Sequence, residues 1–284
     1  MIIRKAVIPA AGLGTRLLPV TKELPKEMLP IFIKYKNRIV LKPTLQIIFE
    51  ELYEQGIREF CFIVGRGKRA IEDHFTPDKN FIQELIKRGK EDIAQMLEEF
   101  YHKVETSKIV WINQPEPKGF GDAVAHAEPF IGNEPFIVHA GDTIIFSKNY
   151  LQKLITAFTR EETGATLLAR EVENPKIYGV IEPAKQENNI IHVKRIIEKP
   201  EKPPTNLAVV PVYIFDPIIF KALKLTKPSP KREIELTNAI QKLIDWGLKV
   251  TAVKLNKSEE RIDIGTPETY WQALKITYKL TQTT

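Results

Sequence analysis

The chain is poor in sulfur. Its 284 residues include one cysteine, Cys61, so no disulfide can close within it and no zinc-ligand spacing exists. Cys61 stands in the apolar run EFCFIV and reads as a small buried hydrophobe. No stretch reaches the ~18 consecutive apolar residues of a membrane helix. The opening MIIRKAVIPAAG is too short and too proline-broken for a secretory signal. A cytoplasmic protein with no membrane partner is therefore expected. Basic runs are also missing. The net charge is +6, yet acids and bases interleave and no run of five cations occurs, which excludes a nucleic-acid arm and leaves no nucleic-acid partner expected. The five histidines show no clustered metal spacing. No Ser-His-Asp or Cys-His set is legible. There is no internal repeat, no low-complexity tract and no obvious linker.

What is present is alternation. Residues 2–8 (IIRKAVI) read as a strand ending at Pro9. Residues 44–55 read as a helix, with Leu45, Ile48, Phe49 and Leu52 on one face and Gly56 at its stop. The run IREFCFIVG suits a strand buried on both faces. Stretches 68–74 and 81–104 read as helices, 107–114 as a strand, and 119–127 as a helix behind a glycine turn. Residues 135–145 read as one strand running into an Asp-bearing end. Strand and helix alternate over residues 1–145, which predicts a parallel sheet with crossover helices. From residue 146 the texture changes to strands joined by short turns. Two helices follow, at 217–224 and about 232–246, then the strand KVTAVKL. A terminal helix is capped by Thr266 with Pro267 at its first position.

The chemistry is concentrated behind the first strand, in PAAGLGTRLLPVTKELPKEMLP (9–30). A dinucleotide fingerprint needs G-x-G-x-x-G. Gly12 and Gly14 fit, but the third place is Leu17, and the acid expected about 20 residues on is missing because prolines and a loop occupy that region. A nicotinamide dehydrogenase is thus disfavoured. The G-x-x-x-x-G-K-[ST] phosphate loop is absent too. What remains is a glycine pair whose backbone N–H groups can approach an anion, with Arg16 and Lys26 adding positive charge. The loop follows a parallel strand, at the end where open α/β sheets bind ligands. This pattern predicts a triphosphate cradle; the bland alternative is two surface cations.

The stretch AVIPAAGLGTRLLPVTKELPKEMLPI resembles the N-terminal signature of the sugar-1-phosphate nucleotidylyltransferases, and within them most resembles the bacterial-type UTP–glucose-1-phosphate uridylyltransferases. The likeness continues through KPTLQIIFEEL, GRGKRAIEDHF, QPEPKGFGDAV, the Gly141-Asp142 pair, YGVI, IIEKP, NLAVVPVYIF, EIELTNAI and DIGTPETY. It implies an α/β fold of nucleotide-diphospho-sugar transferase type: a Rossmann-like, mixed but mostly parallel central sheet flanked by helices, with a small β-rich sugar part. It implies one nucleotidyltransferase domain over 1–284, comprising a nucleotide half (1–145), a sugar half (146–265) and a C-terminal helix (266–284).

By that resemblance Ala11 and Gly12 approach the base, while Gly14, Thr15 and Arg16 hold phosphates. Lys26 bridges the phosphates of both substrates, as a compact point charge suited to oxygens that gather charge. Gln114 reads the base, because an amide carries both a donor and an acceptor, and Gly119 brings a backbone group to the same edge. Without the family, Gln114 is an ordinary strand-end glutamine. Asp142 and Asp263 hold Mg²⁺, a hard cation that takes oxygen ligands. Gly179 lets backbone near the sugar, Glu198 accepts from sugar hydroxyls, and Lys199 pairs the sugar phosphate. On spacing alone Glu198 and Lys199 are a solvated pair. Neighbouring strand residues point to opposite faces, so the strand must end or bulge there for both to reach one ligand, and Pro200 agrees with that. Two departures stand out. Pro211 occupies a place where many members carry glycine, removing one possible backbone donor to the sugar. The turn YKNRIVLKP (35–43) is longer than usual.

The implied reaction is uridylyl transfer from UTP to glucose 1-phosphate, giving UDP-glucose and pyrophosphate, with Arg16, Lys26 and Lys199 as catalytic cations. Alternatives are thymidylyl transfer from dTTP, a broader sugar-1-phosphate nucleotidylyltransferase, and a non-catalytic nucleotide sensor on the same fold. A homodimer or homotetramer is the expected assembly.

Overall fold

A computed structural model describes residues 3–147 and 149–283, without the side chain of Thr283. Ile2, the first residue of the expected first strand, lies outside them. The strand itself, β1, is Lys5–Pro9. Then come β2 (Pro30–Tyr35), β3 (Arg38–Pro43), α1 (Thr44–Glu54), β4 (Glu59–Val64), α2 (Arg69–His74), α3 (Lys79–Lys87) and α4 (Glu91–Glu105). Next are β5 (Lys108–Asn113), α5 (Phe120–Ala125), α6 (Glu128–Ile131), β6 (Phe136–His139), β7 (Thr143–Phe146) and α7 (Tyr150–Glu161). The second half adds β8 (Ala165–Glu171), β9 (Gly179–Glu187), β10 (Ile190–Glu198) and β11 (Leu207–Phe215). It closes with α8 (Ile218–Lys224), α9 (Leu236–Asp245), β12 (Val250–Lys254), β13 (Glu260–Asp263) and α10 (Pro267–Thr283).

Among the described residues the main sheet has nine strands in the order β5-β4-β1-β6-β11-β8-β12-β10-β9. Side chains of adjacent strand residues leave on opposite faces. In β1, Ala6 and Ile8 join the core under α1, α4 and α7, while Val7 joins the core under α5, α8 and α9. In β4, Phe60 and Phe62 go to the first core, Cys61 and Ile63 to the second. Each fully buried side chain of this size contributes about 1.5–3 kcal/mol. Two apolar faces require two helical layers, hence the α/β/α sandwich.

The sheet is mixed rather than mostly parallel. The strands β5, β4, β1 and β6 run parallel, as do β8 and β12. The pairings β6–β11, β11–β8, β12–β10, β10–β9 and β11–β9 are antiparallel. The reason lies in the connections. The turn between β9 and β10 is two residues, Asn188-Asn189, with Asn188 at φ 55°, and a link that short can join only antiparallel strands.

Three local expectations change. The loop expected around Pro30 and the long turn at 35–43 are the hairpin β2–β3, docked on α10, where Phe32 N donates to Thr277 Oγ1 at 3.3 Å. The helix expected at 81–104 is two helices, broken where Gly89 takes φ 68°. The strand expected at 135–145 is also two. The strand β6 ends at His139, and β7 leaves the main sheet to pair with β13. Asp142 sits at that switch. The N-terminus of α10 is as expected: Thr269 N donates to Thr266 Oγ1 at 3.2 Å, the geometry of an N-cap.

Candidate active site

The carboxyl ends of β1, β5 and β6 open on a cleft of about 660 Å³. It is lined by Ala11, Gly12, Gly14, Thr15, Arg16 and Lys26 from the glycine loop, Gln114 and Gly119 from the loop after β5, and by Asp142 and Lys199. These expected site residues thus meet in one cleft. Gly179, Glu198 and Asp263 do not line it; Glu198 precedes Lys199, Asp263 stands beside Gly265, and Gly179 reaches Glu198 and Thr237.

The glycine loop is held by its own turns. Gly14 has φ 65°, a left-handed conformation that disfavours any other residue, and its carbonyl accepts from Thr21 Oγ1 at 2.8 Å. Thr15–Leu17 and Lys26–Met28 are single 3₁₀ turns. At three residues per turn, neighbours point about 120° apart, and the second turn uses this. Lys26 faces the cleft and ion-pairs with Asp142. Glu27 faces inward to Lys68 Nζ at 2.8 Å, and both are buried. Gly12 packs beside the Lys26 ammonium: a Cβ there would stand 3.7 Å from Nζ.

The register of the small sheet decides where the acids go. Asp263 on β13 pairs with Thr143 on β7, and Ile264 N donates to the Asp142 carbonyl at 3.0 Å. Two acids far apart in sequence are therefore neighbours. Burial pushes the Asp142 carboxyl up, but Lys26 and then Arg261 outweigh this and hold it below the usual carboxylate range. Burial, and then Asp142 itself, push Asp263 up. Burial tends to lower the Lys26 ammonium, and Asp142, Glu27 and Asp263 together raise it above its ordinary value. Lys26 and these three acids thus form one electrostatically coupled cluster.

At the other end, β10 stops as the Glu198-Lys199 pair requires. Lys199 sits at φ 42°, ahead of Pro200, in a region few non-glycine residues adopt. The reversal brings Lys199 Nζ to 2.8 Å from Glu198 Oε1 and 3.9 Å from Glu235 Oε1. Burial and then Glu198 raise the Glu235 carboxyl. Gly179 approaches the same group, since a Cβ there would stand 3.3 Å from Glu198 Oε2 and 2.9 Å from Thr237 Oγ1. Pro211 does not line the cleft. It sits where β11 slips register against β8, and its carbonyl accepts from Ala140 N at 2.9 Å, supporting the turn that carries Asp142.

Several residues of this neighbourhood have no role legible in the sequence, although Glu27, Lys68 and Asp122 lie within the resembling motifs. Glu27 and Lys68 look like surface charges. Glu235 lies in a resembling motif and Arg261 just ahead of one, but neither has a readable role there. Asp122, whose Oδ2 accepts from Gln114 Nε2 at 2.7 Å, reads as a helix-surface acid. Only the fold shows which side each faces.

A family profile described as Nucleotidyl transferase matches residues 5–279. The UTP–glucose-1-phosphate uridylyltransferase of Staphylococcus haemolyticus is 40% identical over 247 residues, 85% of this chain and 81% of that protein. A crystal structure of UDP-glucose pyrophosphorylase complexed with UDP-glucose superposes with a TM-score of 0.83 at 33% identity, over 98% of this chain and 99% of the other. A UTP-bound UGPase from Acinetobacter baumannii gives 0.84 at 28% identity, over 98% and 94%. With the profile spanning nearly the whole chain, and with a glycine loop, acid pair and lysine gathered at one sheet edge, the protein belongs to the nucleotidyl transferase family.

Proposed function

We propose that the protein transfers a uridylyl group from UTP to glucose 1-phosphate, releasing pyrophosphate and forming UDP-glucose. The observation that carries this is the placement of Lys26. It lies beside Gly12 and on Asp142, in a cleft with Gln114 on one side and Lys199 on another. The names of the uridylyltransferase relative and of the structural neighbours support the same substrates.

In this reading the base lies against Gln114, Gly119, Ala11 and Gly12, in the N-terminal half (1–145). Gly14, Thr15 and Arg16 hold the triphosphate. The sugar lies against Gly179 and Glu198, contributed by residues 146–265, and Glu235 adds a second acceptor for hydroxyls. Lys199 pairs the sugar phosphate. A phosphate oxygen of glucose 1-phosphate attacks the α-phosphorus of UTP. The new P–O bond forms as the bond to the β-phosphate bridging oxygen breaks, and pyrophosphate leaves in line. The attacking phosphate is already ionised at neutral pH, so no general base is required. Catalysis is alignment and charge neutralisation, with Arg16, Lys26 and Lys199 as the fixed cations.

The donor set fits a divalent cation. Asp142 and Asp263 are hard oxygen donors placed side by side, and their mutual repulsion is the kind a cation relieves. Two protein carboxylates suit Mg²⁺, which keeps waters and takes its other oxygens from substrate phosphates. Bound there, Mg²⁺ would supply neutralisation of phosphate charge.

No helix among the described residues is long and apolar enough to cross a membrane. The proposed enzyme works in the cytoplasm, as its nucleotide and sugar phosphate substrates require. Trp271 and Tyr278 on α10 are 66% and 49% exposed, and such apolar exposure supports a homodimer or homotetramer. The activity is tested by pyrophosphate release over a grid of UTP, dTTP, CTP, ATP and GTP against glucose, galactose and mannose 1-phosphates. UTP with glucose 1-phosphate should turn over fastest. A faster dTTP reaction would make the enzyme a thymidylyltransferase, and silence across the grid would leave a nucleotide sensor.

A further inference from the structure

Gln114 lines the base end of the cleft, yet only 5% of its surface is exposed. Its backbone is pinned, because Gln114 N donates to the Val64 carbonyl at 2.7 Å. Its side-chain nitrogen is spoken for twice. Nε2 donates to Asp122 Oδ2 at 2.7 Å and to the Gly119 carbonyl at 3.3 Å. An amide nitrogen has two hydrogens, so neither remains for a ligand. Asp122 Oδ2 also stands 3.4 Å from His126 Nε2. A carboxylate only accepts. The nitrogen of Gln114 must therefore face Asp122, and Oε1 is the one polar atom left to turn to the cleft.

We infer that Asp122 is a specificity-determining positioning residue: by locking the Gln114 amide one way round, it makes residue 114 an acceptor and so selects bases that carry an N3–H. The inference rests on the uridylyltransferase reading above and sharpens it. A free glutamine is a poor discriminator. It can rotate its amide to offer N–H to the N3 lone pair of cytosine as readily as oxygen to the N3–H of uracil. Fixed by Asp122, it meets cytosine with oxygen against nitrogen, two acceptors with no hydrogen between them. Uracil and thymine share the N3–H edge, so this device rejects CTP while leaving the choice between UTP and dTTP to contacts elsewhere. No contact between Asp122 and the nucleotide is required. It acts through Gln114.

The test is the ratio of kcat/KM for UTP to that for CTP, measured by pyrophosphate release with glucose 1-phosphate. Asp122→Asn replaces an acceptor-only group by one that can present either face. The Gly119 carbonyl still favours the native amide orientation, but at 3.3 Å it is the weaker of the two anchors. The UTP:CTP ratio should fall about tenfold or more, the effect of one unfavourable polar contact. A double variant, Gln114→Glu combined with Asp122→Asn, swaps the carboxylate and the amide. The amide nitrogen introduced at position 122 then faces the carboxylate introduced at position 114. The second oxygen of that carboxylate is again a fixed acceptor towards the base, so the ratio should recover part of the way towards that of the native enzyme, the Gly119 carbonyl now facing an oxygen rather than a donor.

A purely structural role for Asp122 predicts otherwise: both variants would lose UTP and CTP turnover in proportion, with the ratio unchanged. That result, or a double variant no more selective than Asp122→Asn, would overturn the inference. Native enzyme inactive with UTP would instead sink the underlying activity, so the two failures are distinguishable. Should Asp122→Asn fail to accumulate, Asp122→Ser removes the same carboxylate with a smaller group and is read by the same ratio.

Discussion

The Lys26 ammonium is ion-paired with the Asp142 carboxylate in the wall of the cleft. One residue comes from a 3₁₀ turn in the glycine loop, the other from the switch between β6 and β7. The pair couples the proposed phosphate-binding charge to the proposed metal-binding charge, and each sets the other's protonation. In the proposed reaction, charge on the phosphates competes for Lys26 while a divalent cation competes for Asp142.

Replacing Lys26 by alanine should lower kcat by on the order of a hundred- to a thousandfold, the effect of losing one preorganised charge on the transition state. The far-ultraviolet circular dichroism should remain that of the native protein. Near-native turnover would remove Lys26 from the mechanism.

Dialysis against EDTA should abolish pyrophosphate release, and added Mg²⁺ should restore it. Asp142→Asn and Asp263→Asn should each raise the Mg²⁺ concentration needed for half-maximal rate, by about tenfold or more. Equal Mg²⁺ titrations in native and variant proteins would place the ion elsewhere.

Glu27 and Lys68 form a pair that is 1% and 7% exposed. Lys68→Met alone strands a buried acid and should cost about 3–5 kcal/mol in urea unfolding. Glu27→Leu combined with Lys68→Met removes both charges and should recover most of that loss. If the double variant is as unstable as the single one, packing rather than charge is what Lys68 supplies.

Tyr150 bridges Glu51 Oε2 at 2.9 Å and His139 Nε2 at 3.1 Å. Burial pushes the Glu51 carboxyl from 4.5 up to about 7. Between those values the folded chain holds a proton that the unfolded chain has released. Stability from this group is therefore fully present below about pH 4.5 and declines as pH rises to about 7, by up to about 3 kcal/mol. Glu51→Gln should flatten that decline when Tm is compared at pH 5 and pH 8. An unchanged slope would exclude Glu51 as its source.

Gly121 lies in QPEPKGFGDAV, and a Cβ on it would stand 2.6 Å from the Ile234 carbonyl oxygen and 3.0 Å from Leu236 N. Both are backbone atoms that cannot swing aside. Gly121→Ala should destabilise by about 1–3 kcal/mol and raise the KM for UTP, because the same segment carries Gly119 and Asp122. A KM unchanged despite lost stability would separate this packing from base recognition.

Residue order alone accounts for the strands that both core faces bury, the helices that cover them, and the glycine turn that follows the first strand. Such features are local: a side-chain period of two or of 3.6, a left-handed turn at Gly14, a cap at Thr266. The end of the strand at Glu198 was legible too, because Pro200 has no N–H to continue a ladder; the left-handed backbone of Lys199 was not. A mixed sheet was expected, but not how much of it is antiparallel, since strand direction depends on how later segments find their partners. Nor was the meeting of Asp142 with Asp263, which rests on β7 leaving the main sheet to pair with β13. The inward turn of Glu27 and the grip of Asp122 on Gln114 were decided at the same level. A charged residue has the same letter whether it faces water or a buried partner, and only tertiary packing, which fixes what stands opposite it, distinguishes the two.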